Sequence, residues 1–274
     1  MLAEADSYSP SAMKPRAVVA SWQALGIQLR ILAPDPVTPD DLRLAHADRY
    51  VDGVLSGEIA NGFGSRDPKV AASLLYTNGA MLAAARAALE SGGFAVAPCS
   101  GFHHAGYNFG GAYCTFNGLV VAAQWLKFRG RVERVGILDF DMHYGNGTDH
   151  ILARLDLDYV RHYTAGAHWH EASEGEDFLA AIDGIVEGMA DCDLILYQAG
   201  ADPHVDDPLG GFLTTVQLLE RDRRVFAAAR ARNLPVAWNL AGGYQRDASG
   251  GIRPVLDIHD NTLRACLEAS CAPP

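Results

Sequence analysis

Three residues that could bind a metal ion alternate along one short segment: Asp139, Asp141 and His143. The apolar residues just before them, 135–138, predict a buried strand. Because side chains alternate along a strand, the three can leave its end on one face. Two carboxylates and an imidazole are costly to bury without a partner, which favours a divalent metal ion. The alternative is a solvated loop, and the short motif alone leaves both interpretations open.

Polar side chains also follow three other apolar runs. His103 and His104 are adjacent, and Asp202 and Tyr244 each follow a run of their own. Imidazole titrates near neutral pH, so the histidine pair could act as general acid and base, could ligate a metal, or could lie in an ordinary loop. In open parallel α/β sheets the site lies outside the carboxyl ends of the strands, so four polar strand ends together predict one functional site.

Strand-like and helical segments alternate along the chain. Strands are predicted at 94–97, 135–138, 159–163, 194–197 and 236–240, and helices at 80–90, 117–128, 149–155, 177–189, 214–232 and 262–270. This alternation predicts an α/β fold of three layers, in which a mainly parallel sheet carries helices on both faces. Segments 34–36 and 62–68 are interpreted as loops and not as linkers, so we expect a single domain over residues 1–274.

Composition limits the class of protein. The chain has 274 residues, of which 49% are hydrophobic, enough for one sizeable core. Its net charge of −11 argues against nonspecific binding to nucleic acid or to anionic membranes. No apolar run approaches the ~18 residues of a transmembrane helix. Neither a signal peptide nor a paired-cysteine motif is visible, so we expect a cytoplasmic protein. A nucleophile built from Cys99 or Cys114 with a histidine is disfavoured by the metal-binding pattern.

Taken in order, the strand-end segments resemble the histone deacetylase superfamily of zinc-dependent amidohydrolases, which has the arginase/deacetylase fold. The matching segments are Gly101-Phe102-His103-His104-Ala105, 113–117, 139–147, 200–202, 207–211 and Gly242-Gly243-Tyr244. Each motif alone is weak, but their conjunction is specific, and it spans roughly residues 98–247.

The resemblance implies a zinc ion, one per chain, bound by Asp141, His143 and Asp202. Three protein ligands leave positions open for water and for an amide carbonyl, as in catalytic zinc sites. The resemblance further implies five catalytic residues: His103, His104, Asp139, Asn146 and Tyr244.

Among these, His104 is expected to take the proton of water and return it to the leaving amine, with His103 as its electrostatic partner. Asp139 would accept a hydrogen bond from His103, and Asn146 one from His104. A neutral acceptor stabilises imidazolium less than a carboxylate does, so Asn146 should leave His104 less basic. Tyr244 would donate a hydrogen bond to the oxyanion.

Four residues are implied to contact the substrate: Phe102, Tyr113, Gly243 and Asp67. Asp67 matches a rim aspartate of the family with a slip of one residue. A potassium ion beside Asp139 is disfavoured, because the serine that the family uses has no counterpart at 159–162. The segment 164–176 is shorter than in the family, which would leave the site open unless a second copy of the chain closed it.

We therefore expect removal of an acetyl or small acyl group from an N-acylated amine, either a small molecule such as an acetylpolyamine or a peptide carrying acetyl-lysine. Two alternatives stay open. One is a non-catalytic binding module that kept the fold. The other is a manganese ureohydrolase, which needs a further aspartate where this chain has Gly145. His46 and His259 belong to no motif and are interpreted as surface or packing residues.

Overall fold

The computed structural model describes residues 9–271, which form five strands and nine α-helices. The strands are β1 Phe94–Ala97, β2 Val135–Asp139, β3 Val160–Thr164, β4 Leu194–Gly200 and β5 Val236–Ala241. The helices are α1 Lys14–Ala24, α2 Pro39–Arg43, α3 Asp48–Ser56, α4 Pro68–Ser91, α5 Gly118–Phe128, α6 Asn146–Leu155, α7 Gly175–Glu187, α8 Thr215–Ala231 and α9 Arg253–Cys271. Within the described part of the chain, no helix is both long and apolar enough to cross a bilayer.

The strands form one parallel sheet in the order β1-β5-β4-β2-β3. Side chains alternate across it: Leu194 and Leu196 of β4 enter the core on one face, whereas Ile195 and Tyr197 enter the core on the other. Helices α1, α7, α8 and α9 cover the second of these cores, and α3 to α6 cover the first. The predicted three-layer α/β fold is confirmed.

Every predicted strand and helix is present, but several ends were predicted wrongly. Strands β2 and β4 continue to Asp139 and Gly200, because their polar residues find buried hydrogen-bond partners. Helix α4 begins at Pro68 and not at 80, with Asp67 as its N-cap. Helix α9 begins at Arg253 and not at 262. Pro254 is compatible with this start, because a proline in the first turn of a helix loses no backbone hydrogen bond. Helices α1 to α3 were not predicted.

Candidate active site

The carboxyl ends of four neighbouring strands bring the polar residues together. Strands β1, β5, β4 and β2 are adjacent and parallel, so the segments that follow them leave the same edge of the sheet. Asp141 and His143 follow β2, Asp202 follows β4, and Tyr244 follows β5. The site therefore forms where the sequence predicted it, outside the carboxyl edge of the sheet.

Asp141, His143 and Asp202 form a compact group whose possible ligand atoms all lie within 4.8 Å of one another. The Nδ1 atom of His143 lies 3.1 Å from a carboxylate oxygen of Asp141 and 3.0 Å from one of Asp202. Both carboxylates are buried, and the histidine is half-buried. A Cβ added at Gly242 would lie 2.1 Å from the carboxyl carbon of Asp202, so β5 can pass this ligand only with glycine there. One imidazole and two carboxylates are a donor set that zinc and similar divalent ions accept.

The two buried carboxylates of this group favour a bound cation. Burial and the neighbouring Asp141 carboxylate raise the pKa of Asp202 to about 7. Hydrogen bonds to the two carboxylates raise the pKa of His143 to about 10. Burial opposes ionisation of Asp141, but the positive charge of His103 and the hydrogen bonds with His143 and Asp202 together outweigh it and lower the pKa of that carboxyl. A divalent ion held by these three side chains would balance the buried negative charge, and His143 would bind it in its neutral form.

The two histidines of the pair differ in their hydrogen-bond partners. Nδ1 of His103 lies 2.7 Å from Asp139, and Nδ1 of His104 lies 2.7 Å from the side-chain oxygen of Asn146. Burial lowers the pKa of His103, but the carboxylates of Asp139, Asp141 and Asp202 together more than offset this and raise it to about 9. Burial and the neighbouring His103 lower the pKa of His104 to about 4. At neutral pH, His103 is therefore the charged member of the pair and His104 the neutral one.

Tyr244 stands at the end of a tight turn. Gly242 and Gly243 have φ angles of 48° and 89°, in the left-handed region that favours glycine. The backbone N–H of Tyr244 donates to Asp207 at 2.8 Å, and the buried Lys14 ammonium donates to the carbonyl of Gly242. Burial, reinforced by Asp202, raises the pKa of Tyr244, so its hydroxyl keeps its proton and can donate a hydrogen bond.

A small cavity joins these groups. It is lined by Ser11, Ser100, Gly101, His103, His104, Ala112, Tyr113, Cys114, Asp141, His143, Gly242 and Tyr244. The ring centroids of Tyr113 and Tyr244 are 6.2 Å apart, so the two aromatic side chains lie side by side in its lining. A wider groove between α4 and α5 contains none of the predicted site residues, and we assign the chemistry to the smaller cavity because the titratable groups face it.

Three of the predicted substrate contacts lie away from this lining. Phe102 is buried in the core and packs against Gly118. Gly243 forms the turn before Tyr244, where an added Cβ would contact Val255. Asp67 is exposed and accepts a hydrogen bond from the N–H of Lys69, as expected of the N-cap of α4. Tyr113 is the predicted contact that lines the cavity.

Sequence reasoning missed several residues around the site. Lys14 and Ser11 lie far from the motifs along the chain, and a lysine in a short helix ordinarily indicates the surface. His46, expected to be a surface or packing residue, is buried. Its ring also forms hydrogen bonds with the carbonyl of Gly106, in the loop that carries the histidine pair, and with the N–H of Asn117. The register of β2 and β3 places Thr164 beside Asp139. The Thr164 hydroxyl accepts the N–H of Gly145 at 3.0 Å.

Comparison with known proteins identifies the family. The histone deacetylase domain family matches residues 11–159 and 153–253. The chain belongs to this family. Histone deacetylase 2 of Arabidopsis thaliana is 26% identical over 272 residues, covering 86% of this chain and 68% of that protein. Acetylpolyamine amidohydrolase 1 of Pseudomonas aeruginosa is 31% identical over 178 residues, covering 54% of this chain and 50% of that protein.

A solved structure has the same fold. The acetylpolyamine aminohydrolase from Burkholderia pseudomallei superposes with a TM-score of 0.70 at 19% identity, over 94% of this chain and 90% of that chain. The resemblance stated from the motifs is therefore confirmed at the level of the histone deacetylase family and its fold.

Proposed function

We propose that the chain is one metal-dependent catalytic domain that hydrolyses the amide bond of an N-acetylated or N-acylated amine. The observation that carries the proposal is the Asp141, His143 and Asp202 group, two of whose members line one cavity together with the histidine pair and Tyr244. Membership of the histone deacetylase family supports an acylated amine as the substrate class. The names of the relatives point to acetylpolyamines and to acetyl-lysine as the first substrates to test.

Asp141, His143 and Asp202 would hold the metal ion, for which we propose zinc at one per chain. The two buried carboxylates and the imidazole fit such an ion in charge and in donor type. When bound, a divalent ion there would polarise the amide carbonyl and acidify a water molecule. We leave potassium out of the proposal, because Oδ1 of Asp139 already accepts two hydrogen bonds from the protein.

The residues of the chain would move the protons. His104 is neutral at neutral pH, so its free Nε2 can take the proton of the attacking water and later give it to the leaving amine. Asn146 fixes the tautomer by accepting from Nδ1. His103, held charged by Asp139, would stabilise negative charge near the carboxylate of Asp141, 3.6 Å from its Nε2.

Tyr244 would stabilise the oxygen of the reacting carbonyl. Its hydroxyl keeps its proton, so it can donate a hydrogen bond as negative charge develops on that oxygen. Asp207 accepts from the backbone N–H of this residue, and Lys14 donates to the carbonyl of Gly242 in the turn before it. Tyr113, which flanks Tyr244, would form the wall along the acyl-bearing chain of the substrate.

The two alternatives are less well supported. A Cβ at position 145 would lie 2.6 Å from a carboxylate oxygen of Asp139, so the aspartate that a ureohydrolase needs there would not fit. A non-catalytic binding module would not need a neutral His104 bonded to Asn146 beside a possible oxyanion donor.

Hydrolysis of a panel of acylated amines by the zinc-loaded protein tests the proposal. The panel should contain an acetyl-lysine peptide, an acetylated diamine and an acetylated polyamine, with release of the free amine as the readout. We expect turnover of at least one of them, and loss of turnover in Asp202→Ala. Full metal occupancy without turnover of any acylated amine would refute the function.

A further inference from the structure

The backbone that carries the histidine pair accepts hydrogen bonds at three of its carbonyl groups from three other segments. The carbonyl of His103 accepts from the N–H of Thr148 in α6 at 3.0 Å. The carbonyl of Ala105 accepts from the side-chain amide of Asn117 at 3.2 Å. The carbonyl of Gly106 accepts from the ring of His46, before α3, at 2.9 Å. Three separate parts of the chain thus fix the path of one loop.

Asn117 is the centre of this arrangement. It is fully buried, and its side-chain oxygen caps α5 by accepting from the N–H of Val120. Its amide nitrogen donates to Ala105 and also to the hydroxyl of Thr148 at 3.0 Å. Only a side-chain amide supplies two donors and an acceptor in this geometry, so each neighbouring group is bonded only while asparagine is present.

His46 completes the arrangement from the other side. A carbonyl can only accept and a backbone N–H can only donate, so Nδ1 of His46 carries the proton that Gly106 accepts. Its Nε2 then accepts from the N–H of Asn117 at 2.9 Å. Burial lowers the pKa of His46 to about 4, so this neutral tautomer persists at neutral pH. The two residues are therefore bonded to each other and to consecutive carbonyls of the loop.

The loop is tightly packed on its α6 side. A Cβ at Gly147 would lie 2.4 Å from the carbonyl carbon of His104, so the backbone there touches α6 directly. If the bonds from Asn117 or His46 were lost, the loop could move only away from α6. That movement would also take His104 away from Asn146, which lies in the first turn of the same helix.

We propose that Asn117 and His46 are positioning residues that hold the imidazole of His104 in place for proton transfer. This inference rests on the proposed amide hydrolysis. Neither residue lines the cavity, so they would act through the loop and not by touching the substrate. A misplacement of about 1 Å in a catalytic group can cost ~10²-fold in rate. Metal binding should not depend on them, because the ligands follow other strands.

Asn117→Ser tests the first residue. Serine keeps an oxygen that can cap α5 but lacks the amide donor for Ala105 and Thr148. We expect kcat to fall by ~10- to 100-fold, with KM within about threefold of wild type and metal content unchanged. Asn78→Ser is the matched control, because Asn78 is also buried but donates only to Leu74 of its own helix. It should lower the melting temperature and leave kcat near wild type.

A pair of variants at His46 separates positioning from packing. Asn places an amide nitrogen where Nδ1 stood and can still donate to Gly106. Gln places its amide at the Nε2 position and can accept from Asn117, but it loses the donation to Gly106. Both substitutions remove the buried ring. We expect His46→Asn to keep most of kcat and His46→Gln to lose ~10-fold or more. Equal values of kcat in the two variants would overturn the role of His46.

Hydrogen exchange gives a readout that does not depend on turnover. Backbone amides in 102–107 should exchange faster in Asn117→Ser than in wild type, and should be unchanged in Asn78→Ser. Wild-type exchange and wild-type kcat in a folded, metal-replete Asn117→Ser protein would overturn this inference alone. Absence of turnover in the metal-loaded wild-type protein would overturn the proposed function, and the inference with it.

Discussion

The substitution Asn146→Asp should make His104 more basic. His103 and His104 allow the effect of the acceptor on a histidine pKa to be compared. In each of them, Nδ1 lies 2.7 Å from a side-chain oxygen. His103, with a carboxylate acceptor, has a pKa of about 9, and Asp141 and Asp202 add to the effect of Asp139. His104, with an amide acceptor, has a pKa of about 4, lowered by burial and by the charge of His103. An opposite charge at such a distance raises a histidine pKa by ~1–3 units. Asn146 is exposed, so water screens the new charge. We therefore expect the pKa of His104 to rise by the lower end of this range, about 1 unit.

The pH profile of kcat/KM measures this shift. Turnover requires neutral His104, so the acidic limb of the kcat/KM profile should lie about 1 pH unit higher in Asn146→Asp than in wild type. A pKa shift of this size corresponds to a free-energy difference of roughly 1.4 kcal/mol between the two protonation states. The melting temperature should be unchanged or slightly higher, because a carboxylate is favourable in the first turn of α6. Metal content should be measured at each pH so that loss of the ion is not mistaken for titration of the base.

Asn146→Ala is the control for this experiment. It removes the acceptor without adding charge, so it should lower kcat through loss of ring orientation and leave the acidic limb without an upward shift. An acidic limb at the same pH in wild type and Asn146→Asp, with metal bound throughout, would show that His104 is not the group that must be neutral.

Three further predictions concern single side chains. His104→Ala should keep the metal ion and lower kcat by ~10²-fold or more, and wild-type turnover would show that another group transfers the proton. Tyr244→Phe should lose ~10²-fold or more in kcat with a smaller change in KM; a stable, metal-replete variant with unchanged kcat would remove the tyrosine from the mechanism. His46 has a folded pKa of about 4 against an ordinary 6.5, so the unfolded chain binds more protons between these values. The free energy of unfolding should therefore fall as the pH drops through this window, by ~2 kcal/mol between about pH 7 and pH 5. The free energy of unfolding, measured with urea, should depend less on pH in His46→Gln than in wild type.

Much of the site could be predicted because it depends on short-range patterns. Asp139, Asp141 and His143 follow one apolar run, and parallel strands necessarily bring their carboxyl ends to a common edge. The part that could not be predicted depends on contacts between distant segments. His46 lies far from Asn117 along the chain, and Lys14 reaches Gly242 from the other end of the sequence. No periodicity or motif in the sequence reports such pairs.

Several ends of strands and helices were predicted wrongly for a related reason. Thr164 belongs to β3 because it pairs with Asp139, and the register of two strands is a property of their packing. The start of α9 at Arg253 depends on the burial of Val255 and Ile258, which is a property of the packed structure. Asp67, expected as a substrate contact from its nearness to a family motif, is the N-cap of α4, and its contact with the substrate stays a prediction.

Metal titration of the metal-free protein tests the central claim most directly. Zinc should be added in substoichiometric steps to protein stripped with a chelator, while bound metal and hydrolysis of an acylated amine are measured together. Turnover should rise linearly and stop at one zinc ion per chain, and Asp202→Ala should bind no zinc in this range and stay inactive. Full turnover by the metal-free protein, or full zinc binding by Asp202→Ala, would contradict the assignment of Asp141, His143 and Asp202 as a catalytic metal centre.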